Sequence, residues 1–312
     1  MKTNFRHLLI GTLTAGAGLL VSALGAADTS AAMDPGRHAG RASVYRNLPA
    51  ESLEATTSPA RIKAVASGRY APTEIWRALE HGEKVECMSC IPEVSKLLWN
   101  SNAKTREISA WWLRRRIIGV FGPGQIYSQV VATLQTSPDE TRRAYAADAL
   151  GEFLSGAGVK YVSTAIRQDS SAMVRKSAVM ALMRLNSQGK NGEVALAMSD
   201  SDENVQMAAL YASVRINVFN DYAAVVKLVG SPSARVRKRA AENLGVMRAG
   251  DAVVALSAIT TPEMESDAGV RAAAVAALGK IADPGGKAAV QSALGDPNQF
   301  VRDAANIAMR RL

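Results

Sequence analysis

Four stretches of the chain share one pattern of apolar and polar positions: MVRKSAVMAL (173–182), RVRKRAAENLG (235–245), GVRAAAVAALG (269–279) and FVRDAANIAM (300–309). In each, Arg follows a β-branched residue, Ala stands three places later and Leu or Met seven places later. Anchored on that position, the pattern extends to seven units at Arg106, Arg143, Arg175, Gln206, Arg237, Arg271 and Arg302, spaced by 31 to 37 residues. Repetition at such a period marks a solenoid.

The columns of this alignment predict helices. Small residues stand at anchor plus three (Ser109, Ala146, Ala178, Ala209, Ala240, Ala274, Ala305) and mostly leucine at plus seven (Leu113, Leu150, Leu182, Ser213, Leu244, Leu278, Met309). Offsets of four place these residues on one helical face, with small side chains where helices approach closely. Four places before the anchor stand Asn102, Asp139, Ser171, Asp202, Ser233, Asp267 and Asn298. Each is a good N-cap, able to accept a hydrogen bond from a free amide of the first turn. Upstream of each cap runs a second apolar-periodic segment, such as Val130/Val131/Leu134 or Val253/Leu256/Ile259. The unit is helix, short turn, capped helix. Neither helix buries its apolar face alone, so the units must stack.

The chain resembles the HEAT repeats, in particular the short phycobilisome-lyase-type class, through the DxxVRxxAxxALG-like pattern of residues 267–279 and its variants over about 91–312. The resemblance implies an all-α fold, an α-solenoid of about seven helix-turn-helix repeats. It also implies a structural ladder of Arg106, Arg143, Arg175, Arg237, Arg271 and Arg302 paired with turn aspartates. By that analogy Asp139, Asp202 and Asp267 are the partners, and Gln206 departs from the pattern.

Composition agrees with packed helices: hydrophobic residues make up 48% of the chain and aromatic residues only 5%, and Ala is the strongest helix former. The N-terminus reads as a secretory leader over residues 1–27. Lys2, Arg6 and His7 precede an apolar stretch from Leu8 to about Leu24, and Gly25-Ala26-Ala27 offers small residues for cleavage. The alternative is an uncleaved membrane anchor. Either way the expected location is extracytoplasmic, periplasmic in a bacterium. Residues 28–70, with Pro35, Pro49 and Pro59, read as a partly ordered linker with short helical pieces, and 71–312 as the solenoid, with 71–124 as an atypical capping region. Pro72–Glu80 reads as a short helix.

That capping region holds all four tryptophans (Trp76, Trp99, Trp111, Trp112), Arg114-Arg115-Arg116 and both cysteines. Two readings stand for the tryptophans: large side chains covering the open end of the first repeat, or a partner-binding patch. The arginines either complement the dipole at the end of the first capped helix or begin a basic patch. Cys87-Met88-Ser89-Cys90 lacks the His of a haem-attachment motif, the strand–helix context of a thioredoxin-like pair and the second ligand pair of a zinc site. A disulfide is the structural reading, since exported chains form and keep them. A redox-active or partner-linked thiol is the other.

No nucleophile–His–acid set or phosphate-binding loop stands out, and no metal or cofactor is implied. The formal charge of +9 falls to +7 without residues 1–27. Export sets nucleic acid aside as a partner. The expected function is an exported, non-catalytic scaffold or adaptor for a protein partner. The alternatives are a cofactor-handling lyase or chaperone-like protein using the two cysteines, and a basic nucleic-acid-binding solenoid.

Overall fold

The computed structural model describes residues 58–312, apart from 86, 118–123, 188 and 218. The leader expected over residues 1–27 and most of the expected linker lie outside the described residues. Sixteen α-helices, and no strand among the described residues, build the fold.

Seven helix pairs stack in chain order. They are α3 (Ile91–Lys96) with α4 (Ala103–Ile117), α5 (Gln125–Thr136) with α6 (Glu140–Phe153), and α7 (Val159–Gln168) with α8 (Ala172–Leu185). Next come α9 (Asn191–Met198) with α10 (Glu203–Ser213), and α11 (Tyr222–Lys227) with α12 (Ala234–Met247). The last two are α13 (Val253–Ser257) with α14 (Ala268–Ile281) and α15 (Lys287–Ser292) with α16 (Gln299–Met309). An eighth, shorter pair precedes them: α1 (Pro59–Ala66) and α2 (Pro72–His81). The stretch read as linker thus already folds at Ser58, whose side chain caps α1 by accepting from the Arg61 amide. Ile62, Val65, Ile75 and Leu79 are buried against the first repeat. This pair covers the apolar end that a first repeat otherwise leaves open.

The predicted columns are the core. All seven residues at anchor plus three are fully buried, from Ser109 to Ala305. Three glycines at anchor plus eight explain how closely the second helices approach. A methyl group on Gly151 would stand 2.7 Å from the Ala181 Cα, and one on Gly279 would stand 2.5 Å from the Ala308 Cβ. Gly245 meets Ala277 in the same way. Four second helices, α6, α8, α12 and α14, end at anchor plus eleven in the left-handed region, on Leu154, Asn186, Arg248 and Ala282. Such a residue stops the helix and turns the chain toward the next repeat.

The cap column performs its expected task at six positions. Asn102, Asp139, Asp202, Ser233, Asp267 and Asn298 accept first-turn amides, whereas the Ser171 side chain makes no cap bond.

The arginine ladder exists, but with partners other than the expected ones. Each anchor guanidinium donates through Nη1 to two carbonyls of the turn before its own helix. The pairs are Ser137/Pro138 for Arg143, Asp169/Ser170 for Arg175, Ser231/Pro232 for Arg237 and Glu265/Ser266 for Arg271. Nε and Nη2 then grip a carboxylate of the following repeat: Arg143 takes Asp169, Arg175 takes Asp200, Arg237 takes Glu265 and Arg271 takes Asp296, at 2.5 to 2.9 Å. Those acids stand two residues before the cap. Each also accepts the cap residue's own amide. Asp139, Asp202 and Asp267 are occupied by the amides of their own helices, which is why they are not the ladder partners.

One carboxylate thus ties the turn of its own repeat to the arginine of the repeat before. Burial alone would raise the Asp169 and Asp200 carboxyls, but the guanidinium and cap-amide hydrogen bonds outweigh it and hold both below their ordinary value. The Arg237 and Arg271 hydrogen bonds lower Glu265 and Asp296 likewise. Buried bidentate pairs of this kind are strongly position-specific.

The two ends lack the acid. Arg106 faces Ser137, stacks on Tyr145 and reaches Asp148 at 3.5 Å. Arg302 closes the last turn through the Asp296 and Pro297 carbonyls and the Gln299 side chain.

Candidate functional site

The residues singled out in the capping region mostly point inward. Trp112 is 1% exposed, and its Nε1 donates to the Gly82 carbonyl at 2.9 Å. Arg116 is also buried, with its guanidinium 3.5 Å from the Trp112 ring centroid. It donates to the carbonyls of Trp112, Gly82, Glu83 and Val85. The three arginines do occupy the last turn of α4, and Arg116 reaches beyond its own helix to neutralise the carbonyl-rich end of α2 and the turn after it. Trp112 and Arg116 therefore fasten the first helix pair to the first repeat and offer no surface to a partner.

Trp76, Trp99 and Trp111 are half-buried against the core, with Lys104 near Trp76 and Arg142 near Trp99. Arg114 is half-buried; Arg115 is exposed and lies 3.5 Å from Glu83. Cys87 and Cys90 are joined, with the sulfurs 2.04 Å apart, and both are buried. The Cys90 sulfur sits 3.7 Å from the Pro59 carbonyl at the start of α1, so the bonded turn is packed beneath the N-terminal helix pair. Among the described residues no cluster of His, Cys, Asp and Glu could hold a metal ion.

A surface with binding geometry lies at the other end of the chain. The second helices α12, α14 and α16, with Val214 and Arg215 just past the end of α10, line a groove of about 900 Å³. Its floor is made of alanines, Ala272, Ala273 and Ala276 from α14 and Ala304 from α16. Val246 and Phe300 form apolar lips, 62% and 78% exposed. Arg215, Lys238, Arg239 and Lys280 line it as cations, and Glu242 is its one carboxylate. Glu242 is matched by Arg239 at 3.3 Å.

The N-terminal end of the same helix layer is closed by its own charges. A cleft of about 90 Å³ there is lined by Arg106, Glu107, Asp148, Glu152 and Arg184. Arg184 and Glu152 pair at 2.7 Å. Burial pushes the Asp148 and Glu152 carboxyls up, against the pull of neighbouring arginines. No groove residue was among the sequence candidates. The available signal was AGVRAAAVAALGKI (268–281), a second helix apolar on its outer face as well as its core face.

The sequence profile described as HEAT repeats matches residues 127–212 and 222–310, more than half of the chain. The chain belongs to the HEAT-repeat family. Within solved HEAT-like structures, it is similar to YibA of Escherichia coli, at 13% identity and a TM-score of 0.54, over 84% of this chain and 96% of that one. It is also similar to human deoxyhypusine hydroxylase (19% identity, TM-score 0.37, 84% of this chain and 96% of that one). A third is the complex of CpcE and CpcF of phycocyanin lyase from Nostoc sp. PCC7120 (13% identity, TM-score 0.34, 82% and 95%). No curated protein sequence matches the chain.

These likenesses correct the expectation that the chain is not an enzyme. That expectation is withdrawn, since two of the similar structures are named a hydroxylase and a lyase. Among the described residues no helix is long and apolar enough to cross a membrane.

Proposed function

We propose that this HEAT-repeat chain is an extracytoplasmic protein that holds a polypeptide partner in the groove lined by α12, α14, α16 and the residues just past α10. The observation that carries the reading is the groove itself: an alanine floor with Val246 and Phe300 left in water at its lips. Exposed apolar side chains rimmed by charge are the usual composition of a docking surface. Export is supported by the basic and then apolar N-terminal sequence and by the bonded cysteine pair, which suits an oxidising compartment. The alternative of a cofactor handled by the cysteines has less support, since both sulfurs are buried and bonded to each other.

Site-specific photo-crosslinking of the full chain in cells tests the proposal. A photoreactive residue replacing Phe300 should capture one discrete protein, and the same probe at Val254, exposed on a first helix, should not. Crosslinks from both positions alike, or from neither, would overturn the groove as the docking surface.

A further inference from the structure

We infer that the occupant of the groove is an acidic, amphipathic segment of the partner, with carboxylates flanking apolar side chains; this rests on the partner-binding reading above. The argument is charge complementarity on an apolar floor. Of the four cations that line the groove, Arg239 is matched by Glu242. Arg215 lies on the Tyr211 ring, 3.4 Å from its centroid, and donates to the Tyr211 carbonyl. Lys238 and Lys280 are exposed, and among the described residues neither has a carboxylate within salt-bridge distance.

Their placement is set by the repeat packing. The Lys238 side chain lies over Gly269, its ammonium and Cδ 3.8 and 3.9 Å from where a Cβ would stand, and the Lys280 Cδ lies 3.4 Å from the same point on Gly245. Each lysine therefore lies over the neighbouring helix, exposed at the edge of the groove. Three positive groups thus line the groove without a carboxylate in salt-bridge contact; Asp267, across Gly269 from Lys238, accepts the Val270 amide.

Between these cations the floor is chiefly alanine methyl groups, so a ligand must bring apolar side chains to exclude water there. A helix or extended strand carrying Glu or Asp beside Leu, Val or Phe meets both demands. A nucleic-acid strand meets only the first. Its binding would call for aromatic platforms along the track, and the groove lining has Phe300 alone. A second copy of this chain, itself carrying a formal +9, is electrostatically disfavoured.

Fluorescence anisotropy on the full chain, at low and at moderate salt, tests this with three labelled probes. They are an amphipathic peptide of alternating Glu and Leu clusters, the same peptide with Lys for Glu, and an oligothymidylate. The acidic peptide should bind, and the basic one should not. Lys238→Glu with Lys280→Glu should weaken the acidic peptide about fivefold and admit the basic one. The milder Lys280→Gln should give a smaller loss in the same direction and serves if the double variant melts early.

Equal binding of the two peptides, an unchanged affinity in both variants, or displacement of the acidic peptide by oligothymidylate would each overturn the inference. If no peptide binds while the Phe300 crosslink persists, the acidic assignment fails and the docking surface stands. If the crosslink also fails, both fall.

Discussion

At the junction between repeats 6 and 7, Arg271 reaches from α14 into the next turn and grips Asp296 with two hydrogen bonds, both side chains almost wholly buried. Gly279 beside it lets α16 approach to Ala308. At the junction between repeats 4 and 5 every one of these features is replaced. Gln206 stands at the arginine position, and its side chain reaches only the Asp200 carbonyl of its own turn. Ser231 stands where the acid would be and accepts the Ser233 amide instead.

Val214 replaces the close-approach glycine, and Asn243 replaces the alanine it would meet. Asn243 is buried and donates to the Leu210 carbonyl and the Ser213 hydroxyl. Helix α10 ends at Ser213 without the left-handed residue that closes its neighbours. The paired losses are informative: without the arginine, a buried acid at 231 would have no counter-charge, so the two go together. A neutral hydrogen-bonded contact takes the place of an ionic rung, and it sits where the groove begins, since Val214, Arg215 and Asn243 line its near end.

Breaking the ionic junction should have the largest effect. Arg271→Met leaves Asp296 buried without its cation and frees two carbonyls, and should cost about 3–5 kcal/mol in a urea titration. Hydrogen exchange should then show α16 opening before α12. A loss below about 1 kcal/mol would mean that the rung is not what joins repeat 7 to the stack.

Rebuilding the missing rung should have a smaller effect. Ser231→Asp alone should be neutral or destabilising, and Gln206→Arg with Ser231→Asp should show a favourable coupling of about 0.5–3 kcal/mol in a double-mutant cycle. Zero coupling would show that the two turns at this junction stand too far apart for the pair.

The smallest contrast separates two cap positions. Asp139→Ala should cost about 1 kcal/mol. Ser171→Ala, which removes no cap bond, should stay within about 0.5 kcal/mol. Equal losses in thermal melts would contradict the cap geometry.

Much of this architecture was legible in the sequence, and the groove was not. The second helices of the seven repeats could be read because anchor, alanine and leucine recur at helical offsets, and because the caps stand at a constant distance from the anchor. The helix Pro59–Ala66 was legible only as one of the short helical pieces of a linker, because it is short and carries none of those columns. For Trp112 and Arg116 the sequence left open both a cover for the first repeat and a surface patch, because residue type alone does not say which way a side chain turns. Their burial depends on the turn at Gly82, about thirty residues away. Ala272, Ala276 and Ala304 fall outside the core columns, and the sequence does not say whether such an alanine lies beneath a neighbour or floors a groove.

The sequence by itself determined the number of repeats, their helical class and their arginine and cap positions, because each follows from contacts within a few residues of the chain. The tertiary structure alone decided that Arg143 takes Asp169 and not Asp139, that Arg116 serves the end of α2, and that an apolar groove opens across the last four repeats. Those outcomes join residues 25 or more positions apart, and only the packing of one repeat on the next brings such residues together.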